Sequence, residues 1–64
     1  MRRRYALSAA DLAKAINGYV DRQQYFWACG LIRETLSVWR EPQNMGLLHE
    51  DAQVIARHYL ANGT

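Results

Sequence analysis

Apolar side chains recur along this chain at steps of three and four residues, and no stretch sustains the apolar–polar alternation of a strand. The pattern predicts an all-α fold, a three-helix bundle with helices at about 9–18, 22–41 and 48–62 and the second helix central. The first helix has a start signal. Ser8 is a favourable N-cap, Asp11 stands three residues on, and Leu7 and Leu12 can staple the chain across the cap. Leu12, Ile16, Tyr19 and Val20 then follow at helical spacing, and Asn17-Gly18 reads as a stop. Asp21 with Gln24 offers a second cap at once. The alternative is one long helix bent at Gly18; two caps and a glycine favour a break.

The second helix runs to Pro42, which lacks an amide hydrogen and disfavours helix in the residue before it. Tyr25, Cys29, Ile32, Leu36 and Trp39 form a seam of alternating fours and threes. Trp27, Leu31 and Val38 form a second line, and Ala28 and Thr35 fill the gap between the two. The apolar arc is then roughly 200° wide, against the ~100° that a surface helix needs. Pro42 to Gly46 reads as a loop. In the third helix Leu48, Ala52, Ile55 and Tyr59 repeat the seam. Glu50 and Asp51 suit its positive start, Arg57 and His58 its negative end, and Asn62-Gly63 its stop.

Length sharpens the picture. A chain of 64 residues holds one domain, near the lower limit for a core that must stand alone. Residues 1–7 read as a basic arm and 8–64 as a single helical domain. The single cysteine, Cys29, rules out an internal disulfide and fits a reducing, cytoplasmic setting. The opening arginines are not followed by the apolar run of a signal peptide, since Asp11 and Lys14 intervene. Nothing approaches the ~20 apolar residues of a membrane span. Self-association is the remaining support for so small a core, and a homodimer is expected. Its anchors are expected on the surplus side of the second helix, at Trp27, Leu31 and Val38, with Trp39 as a further candidate. Phe26 falls among Arg33 and Arg40 on the polar side. It is read either as a partner contact or as a ring tucked under the segment from Arg2 to Leu7.

Catalytic and metal chemistry find little footing. His49 and His58 are nine residues apart and face opposite sides of a helix, and Cys29 belongs to another seam. Glu50 and Asp51 are adjacent, so their side chains diverge. The glycines are isolated, so no loop is built to cradle phosphate. No enzyme activity, metal or cofactor is expected.

Charge is local. Net charge is +2, and Arg2, Arg3 and Arg4 supply three of the eight basic residues. They read as a solvated tail or as an arm for a nucleic-acid backbone. Leu12-Ala13-Lys14-Ala15-Ile16-Asn17-Gly18 resembles the first helix and turn of a repressor-type helix-turn-helix, and Val20-Asp21-Arg22-Gln23-Gln24 resembles the turn into its recognition helix. The resemblance covers about a third of the chain and implies that Arg22, Gln23 and Gln24 would read bases in the major groove. The chain departs from that pattern in two ways. Gly18 lies one residue late, and the following helix continues Tyr25-Phe26-Trp27-Ala28-Cys29, which is apolar where a groove-facing helix is polar. The leading expectation is therefore a non-enzymatic protein–protein interaction module of bacterial or phage regulatory type. A DNA-binding regulator is the alternative.

Overall fold

The structure is a computed structural model that describes residues 7–62. Five helices follow one another: α1 (Ala9–Asp21), α2 (Tyr25–Glu34), α3 (Leu36–Trp39), α4 (Pro42–Met45) and α5 (Glu50–Ala61). There is no strand among the described residues. The all-α class stands, but the count and several boundaries differ from the expectation of three helices. The basic arm, save Leu7, lies outside the described residues.

α1 begins as its sequence demands. The Ser8 side chain accepts a hydrogen bond from the Asp11 amide at 3.2 Å, although Leu7 stays 62% exposed rather than closing a staple. The helix does not stop at Gly18. Val20 is buried two residues on, and the chain holds helical geometry to Asp21 to bury it. It ends three residues later in a Schellman arrangement: the Gln24 amide donates to the Tyr19 carbonyl at 2.8 Å and the Gln23 amide to Val20 at 2.9 Å. Gln23 occupies the left-handed position at φ 61°, where glycine is usual, at a cost of roughly 1 kcal/mol. Asp21 caps nothing. It sits in the last turn of α1 and accepts from the His49 ring at 3.1 Å.

The expected helix 22–41 is divided. It starts at Tyr25 and breaks at Thr35, whose backbone leaves the helical region at φ −119°, ψ 29°. The Thr35 hydroxyl explains the site of the break. It donates to the Leu31 carbonyl at 2.7 Å and accepts the Trp39 indole N–H at 3.0 Å. The chain re-phases there so that Leu36 and Trp39 both turn inward. Pro42 to Met45, read as loop, forms one helical turn with proline at its first position. α5 starts at Glu50 rather than near 48. Its end is tied by the Asn62 side chain, which donates to the His58 carbonyl at 2.8 Å.

α2 packs against α1 and α5, and the short α3 and α4 close the remaining side. Trp39, 1% exposed, belongs to a core with Leu12, Ile16, Val20, Ile32, Leu36 and Leu48. Ala13, Ala28, Ala52 and Ala56 are buried as well, and small side chains at these positions let helix backbones approach closely. Amide side chains hold the loops, and Asn44 donates to the Val38 carbonyl at 3.1 Å. Asn17 donates to the Leu47 carbonyl at 3.0 Å and accepts the His49 amide at 2.7 Å, tying α1 to the start of α5. Gln53 donates to the carbonyls of Met45 and Leu48.

Candidate functional site

The inward side of α2 is set by Ala28 and Ile32, both fully enclosed. At 100° per residue, Gly30 then lies opposite them, at the centre of the outward face. Phe26 and Arg33 flank it on one side, Trp27 and Glu34 on the other. This outward face carries the least protected aromatic surface among the described residues. Phe26 is 80% exposed and Trp27 59%, and their rings meet edge to face at 5.3 Å between centroids. Tyr25 beside them is 44% exposed. Burying an aromatic ring is worth a few kcal/mol, so two exposed side by side are a large unspent driving force.

A groove of about 570 Å³ runs beside the pair. Tyr19 of α1 and Tyr59 of α5 form its outer walls, and Cys29, Gly30 and Leu31 line it from α2. A methyl group at Gly30 would meet no atom within 4 Å, so the floor is open above the backbone. The Arg33 guanidinium lies 5.8 Å from the centre of the Tyr59 ring, and that of Arg22 lies 5.8 Å from the Tyr19 ring. Partial burial and a hydrogen bond with the Cys29 thiol hold the Tyr59 phenol above its ordinary pKa, with Arg33 opposing them. Tyr59 is therefore neutral at pH 7. Below Gly30 a second hollow of about 340 Å³ is lined by Gly30, Arg33, Glu34 and Leu36. Among the described residues neither Arg33 nor Glu34 has a salt-bridge partner.

The chain matches no family model, no curated protein and no solved structure.

The residues singled out in the sequence are divided by this geometry. Phe26 and Trp27 are together on the outward face. Leu31 and Val38 are half-buried and pack against the core, and Leu31 also reaches the groove. Trp39 is interior, with its indole N–H bonded to Thr35, and has no surface to offer a partner. Phe26 and Arg33 share the groove as expected of neighbours on one face, whereas Arg40 does not line it. Arg22, Gln23 and Gln24 form the turn between α1 and α2 rather than the start of a helix. Arg22 donates from Nε to the Gln24 side chain at 3.3 Å. The first turn of α2 is Tyr25, Phe26 and Trp27, all exposed. Arg2, Arg3 and Arg4 lie outside the described residues.

Gly30, Glu34 and the two tyrosine walls were not picked out in the sequence. The available signal was the placement of Phe26, Gly30 and Glu34 at steps of four, with Trp27 and Arg33 three residues to either side of the glycine. Among the described residues no three His, Cys, Asp or Glu side chains gather so as to hold a metal ion, and no helix is long and apolar enough to cross a membrane.

Proposed function

We propose that this chain is a non-enzymatic protein-interaction module that acts as a homodimer through the outward face of α2. The exposed Phe26–Trp27 pair beside an open groove is the observation that carries the reading. On it, α1, α2 and α5 serve as a three-helix scaffold whose work is to present that face. Area argues for a modest but specific contact. The three rings at 25–27 expose on the order of 300–400 Å² per copy. That is about half of the ~800 Å² per partner in a standard interface, and the groove walls can supply the remainder. A reducing, cytoplasmic setting suits a chain with one free thiol.

Light scattering coupled to size exclusion tests it. At high micromolar concentration the mass is expected near twice the 7.4 kDa of one chain. Because Phe26 and Trp27 are exposed, Phe26→Asp and Trp27→Asp should leave helix content and melting temperature nearly unchanged and give monomer. A wild-type mass that stays near 7.4 kDa at millimolar concentration overturns the proposal. The DNA-binding alternative draws no support from the placement of Arg22, Gln23 and Gln24. Its own test is a mobility shift at low salt that weakens steeply as salt rises.

A further inference from the structure

The outward face of α2 carries a knob and a hollow in one surface, and their positions specify how two copies meet. Resting on the homodimer reading, we infer that the two α2 helices cross antiparallel with Gly30 at the two-fold axis. Phe26 and Trp27 of each copy then enter the hollow between Gly30 and Leu36 of the other.

Three observations lead there. The first is the open backbone at Gly30, where an added methyl group meets nothing within 4 Å. A glycine at the centre of a helix face lets a second helix approach more closely than any other residue allows. Glycine in a helix interior costs roughly 1 kcal/mol relative to alanine, and nothing within the monomer requires it at this position. The second is shape. The bulky end of the face lies one turn before Gly30, and the hollow of about 340 Å³ lies one turn after it. Antiparallel crossing sets knob against hollow twice. Parallel crossing would set knob against knob and leave both hollows empty.

The third is chemical pairing. A two-fold axis perpendicular to two antiparallel helices brings like sides together, with residues that precede Gly30 opposite residues that follow it. Phe26 therefore faces the partner's Arg33, and Trp27 faces the partner's Glu34. Both pairs are favourable: a guanidinium over an aromatic ring, and an indole N–H donating to a carboxylate. Glu34 has no salt-bridge partner among the described residues, and the Trp27 indole N–H has no hydrogen-bond acceptor there. The crossing gives partners to the Trp27 indole N–H and the Glu34 carboxylate, and it sets a second ring beside the Arg33 guanidinium, which in the monomer already lies 5.8 Å from the Tyr59 ring.

Single-cysteine cross-linking tests the geometry in the full chain. In a Cys29→Ala background, Gly30→Cys places two thiols at the axis, where Cα atoms within about 7 Å allow a disulfide. Glu34→Cys places its thiols about 12 Å apart along antiparallel axes, and level with one another along parallel ones. Asp51→Cys on α5 serves as a remote control. The expected result is rapid, near-complete oxidation to covalent dimer at position 30 and control-level cross-linking at 34. Efficient cross-linking at 34 means a parallel pair and overturns the inference. A dimer by light scattering that fails to cross-link at 30 also overturns it, while the homodimer reading survives. A wild-type monomer removes both. As a second variant, Gly30→Arg fills the crossing point with a better helix former. It should keep or raise the melting temperature while weakening self-association at least about tenfold.

Discussion

Thr35 shows how much one hydroxyl decides in so small a protein. It gives its proton to the Leu31 carbonyl and takes the indole N–H of Trp39, the most voluminous of the fully buried side chains. Thr35→Val keeps the shape and removes the acceptor, so a buried donor is left without a partner. That costs about 1–3 kcal/mol, and for a domain of this size a fall of several degrees or more in melting temperature. Thr35→Ser keeps the hydroxyl and should recover most of the loss, as read by thermal circular dichroism. Destabilisation by serine with valine left near wild type would mean that the β-branched methyl group matters and the hydrogen bond does not. Trp39 itself was legible as an apolar seam position at the residue scale, but not as interior. A helical wheel assigns a side chain to a face. It does not say which neighbour will cover that face, and α3 turned Trp39 toward the core after a break that the wheel did not contain.

At the scale of elements, the start of α1 was legible, and the passage from α1 into α2 and the break after α2 were not. Ser8 and the Glu50-Asp51 pair act through atoms within a turn of themselves, so the local sequence is sufficient. Ends and breaks depend on what the next turn can bury. Gly18 looks like a stop, yet α1 runs through it because Val20 is wanted in the core. The true stop is made by backbone bonds to Tyr19 and Val20, with an unremarkable glutamine in the left-handed position. The break at Thr35 sits within Ile32-Arg33-Glu34-Thr35-Leu36, which composes well as continuous helix. These two readings of residue 18 separate experimentally. In a helix interior, Gly18→Ala gains roughly 0.5–1 kcal/mol by restricting the unfolded chain. The new methyl group meets only the far end of the flexible Arg22 side chain, at 3.4 Å. A higher urea midpoint with unchanged slope is expected. A lower midpoint would show that the chain uses glycine's freedom there to turn.

At the scale of the whole molecule, the width of the apolar arc over residues 22–41 was legible and its consequence was partly misplaced. The chain encloses the far end of that arc: Trp39 is interior, and Leu31 and Val38 are half covered. It leaves the near end bare, at Phe26 and Trp27. The five short helices enclose one tryptophan and leave the second uncovered. The two tryptophans thus sit in opposite environments, and this makes them reporters. A chain with Trp27 alone, made by Trp39→Phe, should emit at long wavelength in dilute solution and be quenched readily by acrylamide. As concentration rises through the dimerisation range, its emission should move to shorter wavelength and its quenching constant should fall severalfold. A chain with Trp39 alone, made by Trp27→Phe, should emit at short wavelength and resist quenching at every concentration. Trp27 emission that stays solvent-like from nanomolar to millimolar concentration would show that the aromatic face never finds a second copy. Protection of Trp27 at nanomolar concentration would show that the monomer covers it unaided.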